Sequence, residues 1–222
     1  MTRNIDKLII VPGHAPFKNS VEKVPDNFQE DKYWVLQEFQ RGEPPYYIEH
    51  IKEATKLAEL DKKSLLVFSG GRSRPESENW SEAATYKAIY DRLNPDSPSD
   101  NVELEKFARD SFENLKFSLY QFYRKIGRYP VHVTVAGWIF KRERFCFHAD
   151  TLGIDPAHFT YAGVNNPKDL AGALKGEERA LTDFRNDPFG DKGVLASKRL
   201  ERNPFNDTNP YDGLPPIVIG NS

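Results

Sequence analysis

Ser64-Leu65-Leu66-Val67-Phe68-Ser69-Gly70-Gly71 decides the fold. An apolar run with no polar alternation reads as a strand buried on both faces, as in a parallel sheet covered by helices. It ends on a glycine pair, where the chain can turn sharply and approach another group closely. The pattern returns on either side. Lys7–Val11 is a second such run, ended by Pro12-Gly13-His14, and Val131–Ala136 is a third, followed by Gly137-Trp138. Val102–Phe107 reads as a short strand and Phe159–Ala162 as a further one.

Helical patterns lie between these strands. Tyr46–Leu60 repeats Tyr47, Ile51, Ala54 and Ala58 at helical spacing, and Glu78–Leu93 forms another helix before a loop marked by Pro95, Pro98 and Asp100. Asp110–Ile126 carries the clearest stripe, Phe112, Leu115, Leu119, Phe122 and Ile126. Trp138–Leu152 and Leu170–Phe184 complete the set. Strands alternating with helices predict βαβ units and a mainly parallel sheet. Two stretches fall outside this rhythm. Residues 14–45 are irregular, with one short helix expected over Lys32–Phe39. Residues 186–222 form a Pro/Asn-rich tail, separate from the domain of residues 1–185 and without a long periodic stretch.

Bulk composition bounds the function. The 222 residues are 38% hydrophobic and 29% charged, with net charge −2, which points to a globular protein and gives no basic excess to hold nucleic acid. No apolar run is long enough to span a bilayer, and residues 1–6 lack a secretory h-region, so neither a membrane nor secretion is expected. With one cysteine, Cys146, there is no internal disulfide, and a cytoplasmic location is the expectation. Cys146 sits among Phe145, Phe147 and Ala149 and is expected to be a small core residue. His50, His132, His148 and His158 show no metal-ligand spacing, so no metal site is expected.

Parallel sheets bind ligands beyond the carboxyl ends of their strands, so the segments after Val11, Phe68 and Ala136 hold the candidate residues. Gly70-Gly71 reads either as a phosphate cradle of backbone N–H groups or as a tight turn. Glu82 reads as a general base, or as half of a capping box with Asn79. Asp110 and Glu113 fit a second capping box, which leaves Asn114 unassigned. Lys141, Arg142 and Arg144 break a rule, because the start of a helix disfavours positive charge. A bound anion would convert that cost into attraction; a solvated basic face, or pairing with acids elsewhere, is the alternative. His14 reads as a base or ligand contact at the end of the first strand.

Taken in order, Pro12-Gly13-His14-Ala15, Ser69-Gly70-Gly71, Ser81-Glu82-Ala83, Asp110-Ser111 with Glu113-Asn114, and the third strand leading to Arg144 resemble the YdcF/SanA/ElyC family of unknown function, over residues 7 to about 155. The resemblance implies a Rossmann-like three-layer α/β sandwich whose motif residues meet in one cleft. It also adds Gly13, Ser69 and Ser81 to the candidate ligand contacts. Members of that family are linked to S-adenosylmethionine, which the resemblance offers as a cofactor. Where the family carries a histidine after its third strand this chain has Lys141, which favours electrostatic anion binding over imidazole chemistry.

The expectation is therefore a protein that binds an anionic small molecule, a nucleotide or phosphorylated metabolite. Gly70 and Gly71 supply backbone donors, Lys141 and Arg144 positive charge, Glu82, Asp110 and His14 acid–base groups, and Asn114 lines the cleft. If the protein is an enzyme, transfer or hydrolysis at such a substrate suits a site built for charge stabilisation. The alternatives are a non-catalytic S-adenosylmethionine sensor, and an interaction protein working through tail tripeptides such as Asp187-Pro188-Phe189 and Asn203-Pro204-Phe205.

Overall fold

Side chains alternate across a strand, so each buried strand must satisfy two cores at once. In the computed structural model, which describes residues 4–96 and 100–220, β1 (Lys7–Pro12) and β2 (Ser64–Ser69) do this in register. Ile9, Val11, Leu66 and Phe68 enter one core; Leu8, Ile10, Leu65 and Val67 enter the other. The first core is closed by α1 (Pro44–Leu60) and α2 (Glu82–Leu93), the second by α3 (Ser111–Ile126) and α4 (Arg142–Thr151). With β3 (Val102–Glu105), β4 (His132–Gly137) and β5 (Phe159–Gly163) the strands form one sheet in the order β3-β2-β1-β4-β5, and every pairing is parallel. This is a Rossmann-like three-layer sandwich, as expected.

The chain runs outward from β1 to β3, then crosses back to add β4 on the other side of β1. The order thus reverses between β1 and β4, the place beyond the strand ends where sheets of this kind form a ligand crevice. Pro12-Gly13-His14 and Gly137-Trp138 border it directly.

Several expectations need correction. The short helix over Lys32–Phe39 is replaced by two single turns, Asp31–Tyr33 and Glu38–Gln40. Trp34 stays extended between them because it bridges Phe17 and donates its indole N–H to the Phe28 carbonyl at 2.6 Å. The segment 14–45 is thereby an aromatic cover for the α1/α2 core, with Phe17 and Trp34 fully buried. Helix α2 begins at Glu82 rather than Glu78, and its N-cap is Ser81, whose Oγ accepts from the Ala84 N–H; the Asn79–Glu82 capping box is not formed. Cys146 is exposed, not core. Phe145, His148 and Ala149 occupy the inward face of α4, and a residue one step past Phe145 is rotated about 100° away from it. Pro98 lies outside the described residues.

Helix α5 (Leu170–Asn186) leads into the tail, which is irregular except for one nine-residue helix, α6 (Gly193–Glu201). The tail is packed along its length. Arg199 pairs with Asp110, Tyr211 packs on Phe117, and Ile217 and Ile219 join the α3/α4 core. No helix among the described residues is long and apolar enough to cross a membrane.

Candidate functional site

The glycine pair after β2 does not offer its N–H groups to a ligand. Gly70 N–H donates to the Glu105 carbonyl at 2.9 Å, Gly71 N–H to the Ala108 carbonyl at 2.8 Å, and Gly13 N–H to the Ser69 carbonyl at 2.7 Å. The start of α2 is equally committed: Glu82 N–H donates to the Gly71 carbonyl and Ala83 N–H to the Gly70 carbonyl. The expected phosphate cradle is therefore absent, because parallel strands and the helix start consume every one of these donors. What the glycines provide is room. A Cβ on Gly13 would strike Glu82 Cβ, and one on Gly70 would lie 2.7 Å from Glu82 Oε2; Gly70 also has φ +148°, which side chains rarely adopt. The bare turn is a seat for the Glu82 carboxylate.

Glu82 is half-buried, and among the described residues the only hydrogen bond to its carboxylate comes from Ser73 Oγ to Oε1, at 2.5 Å. Burial raises its pKa, and the opposing pulls come from Ser73 and from the cations Arg202, Arg74 and Lys141. One turn along α2, the Tyr86 hydroxyl is buried beside the His14 backbone. The His14 ring is 5.1 Å from Tyr47, 5.4 Å from His50 and 5.9 Å from Trp138, and its Nε2 is buried without a partner among the described residues. Burial, then Lys141, hold His14 well below the usual histidine pKa, so it is neutral at pH 7. Gln40, from the irregular cover, pins this corner by donating to the His14 carbonyl at 2.8 Å.

Lys141 enters from the other lip of the crevice, one turn after Trp138. No carboxylate of the described residues lies within ion-pairing distance of it, and burial with the neighbouring Arg144 brings its pKa down to about 8. Lys141 acts electrostatically on Glu43, His14, His50 and Glu82. Arg144 behaves differently. Its guanidinium is 2.7 Å from Glu177 of α5, with both side chains largely buried, so pairing with an acid absorbs much of the charge expected to bind an anion.

Four candidate residues are brought together elsewhere or face inward. Ser69 points to the α3 side of the sheet, where Oγ lies 2.6 Å from Glu105 Oε2 and 2.8 Å from Asn114 Oδ1. Ser69 and Asn114 thus brace the turn from beneath. Asp110 caps α3 by accepting from the Glu113 N–H, and its other oxygen is 2.6 Å from Arg199 Nε. The expected second capping box is half-formed: the Glu113 carboxylate turns instead to Arg109, accepting from its backbone and guanidinium. Ser81 serves as the α2 cap. Sequence reading missed Arg202, Tyr86 and Glu105, and it takes Arg74 for a solvated loop residue. Arg202 sits in a polar stretch with no periodic signal, and the other two missed residues read as ordinary helix and strand positions. Among the described residues no group of three or more His, Cys, Asp or Glu side chains converges as a metal site.

The fold defines a Rossmann-like α/β protein. The chain is similar to a Saccharomyces cerevisiae protein, Uncharacterized protein YOR238W, at 27% identity over 260 positions that cover 92% of this chain and 86% of that one. No protein-family model matches the chain, and no solved structure matches it.

Proposed function

We propose that the β1/β4 crevice binds an anionic small molecule, a nucleotide or phosphorylated metabolite. The observation that carries this reading is Lys141: among the described residues no carboxylate is within ion-pairing distance of its ammonium, Glu177 and Glu43 acting on it only from farther off, and the neutral His14 on which it acts has a buried Nε2 with no partner among them. A cation held without a counter-ion is costly unless a ligand supplies the charge. His14 Nε2 is a buried polar atom without a partner among the described residues, and such an atom needs a ligand or water to satisfy it. Glu82, with its raised pKa, sits where it would accept a ligand hydroxyl or exchange a proton with it. If the protein is catalytic, transfer or hydrolysis at a phosphorylated substrate uses Lys141 for charge and Glu82 with His14 for protons.

A thermal-shift and native-mass screen of nucleotides, sugar phosphates and S-adenosylmethionine against the full chain tests this reading. Stabilisation by phosphorylated ligands, lost in Lys141→Ala, is expected. Stabilisation by S-adenosylmethionine alone, insensitive to Lys141, would replace the reading with that of a sensor for that cofactor. No shift with any ligand would overturn it.

A further inference from the structure

We propose that the C-terminal tail is part of the ligand site, with Arg202 as a ligand-binding residue supplied by α6. This rests on the crevice binding an anion, and it adds which segment of chain must be docked for that to happen.

The placement follows from hydrogen bonds on either side of Arg202. Its Nη1 donates to the Arg109 carbonyl at 3.0 Å. Arg109 directly follows Ala108, whose carbonyl accepts the Gly71 N–H. On the other side, Asn203 and Asp207 close a small loop, Asn203 Nδ2 to the Asp207 carbonyl and Asp207 N–H to Asn203 Oδ1. Asp207 then pairs with Arg72 at 2.9 Å, and the Arg72 guanidinium lies 4.4 Å over the Phe205 ring. Residues 202–207 are thus tied to both neighbours of the Gly70–Gly71 turn on which Glu82 rests.

Helix α6 carries Arg199 and is capped by Arg202 at its C-terminus, and the two arginines are treated differently. Arg199 is buried and bound to Asp110, with Asp191 at 3.0 Å, so it is spent on anchoring the helix. Arg202 is half-buried, with one carbonyl for a partner and no carboxylate among the described residues in ion-pairing range. Its charge reaches both Glu82 and Lys141. Lys141 from the turn before α4, Arg202 from the tail and Arg74 from the loop before α2 therefore all act on Glu82, yet none is in ion-pairing contact with it. An anion with a hydroxyl to offer Glu82 would meet all three cations. A phosphorylated polyol or nucleoside phosphate has that chemistry. The tail, which reads as separate from the domain in sequence, would then be a strap across the site, and its removal would abolish ligand binding.

The test uses the full chain as wild type, Lys141→Ala, Arg202→Ala and Arg202→Lys, titrated with ADP and with inorganic pyrophosphate by calorimetry at two salt concentrations. Arg202→Ala is expected to weaken binding tenfold or more with an unchanged melting temperature, and to flatten the salt dependence. Arg202→Lys recovers part of the affinity. Wild type binding that falls in Lys141→Ala but not in Arg202→Ala overturns the tail's role and leaves the crevice reading intact. If the wild type binds neither probe, both readings fall. A loss of affinity in Arg202→Ala matched by a lower melting temperature and not rescued by lysine makes Arg202 a structural strut, and also overturns the proposal.

Discussion

Ser69 Oγ sits between two acceptors, 2.6 Å from Glu105 Oε2 and 2.8 Å from Asn114 Oδ1. A hydroxyl has one proton to give. Ser69 therefore shares its proton between the Glu105 carboxylate and the Asn114 amide oxygen. Burial raises the Glu105 pKa to about 7, against the pull of Ser69 and the Phe107 and Ala108 N–H groups.

This carboxyl should impose a pH dependence on stability. Its folded pKa lies above its unfolded value, so the folded state binds more protons between about pH 4.5 and 7. Stability from this group is greatest below that window and falls as pH rises through it, by a few kcal/mol in all. The buried histidines work in the opposite sense: His50, at about 4, gains stability as pH rises towards 6.5. The difference in urea stability between wild type and Glu105→Gln isolates the first effect. The variant should become relatively more stable with rising pH from 5 to 8; parallel profiles would show that Glu105 does not titrate there.

Gly70 should tolerate no side chain. An added methyl would meet Glu82 Oε2 at 2.7 Å on a backbone at φ +148°. Gly70→Ala is expected to cost about 1–3 kcal/mol in chemical denaturation from the backbone conformation alone. It should also displace Glu82 and lower ligand affinity. Gly127, at φ +84° with open space around its Cβ position, is the comparison: Gly127→Ala carries the backbone cost without touching the site.

The sheet and most helices were legible because each strand is a short apolar run and each main helix a stripe. Gly70-Gly71 marked the right place, but its use was hidden. A cradle and a seat for a carboxylate require the same bare turn, and only the partners of the N–H groups separate them. Glu105 gave no signal, since Val-Glu-Leu-Glu alternates like an edge strand with a wet face. That face is instead covered by α3 and the Tyr211 ring, which makes Glu105 fully buried. The tail concealed its helix because α6 is short. Lys198-Arg199-Leu200-Glu201-Arg202 reads as a solvated helix end until Asp110 and Arg109 are brought up to it.

Arg144 and Glu177 tie α4 to α5 through a contact of 2.7 Å, with side-chain exposures of 13% and 8%. Removing one partner strands the other charge in the interior. Arg144→Met and Glu177→Met should each lower stability by about 3 kcal/mol or more, whereas the double variant should recover much of the loss. A double-mutant cycle in urea measures this. Purely additive losses would show that the two side chains do not interact in solution. Because Arg144 also bears on His14 electrostatically, Glu177→Met leaves an unneutralised guanidinium near the crevice and should strengthen anion binding where the protein remains folded.

Lys141 should make ligand affinity depend on alkaline pH. Burial and Arg144 bring its pKa to about 8, so the ammonium is largely intact at pH 7 and mostly lost by pH 9. An anion bound through that charge therefore weakens as pH rises through 8, the reverse of a ligand held by Glu82 as a carboxylate. Lys141→Arg keeps its charge throughout this range, because a guanidinium does not titrate there. Its affinity for ADP should stay level from pH 7 to 9 while that of the wild type falls several-fold. Identical pH profiles in the two proteins would remove Lys141 from the binding site, and with it the charge that makes the crevice a receptor for anions.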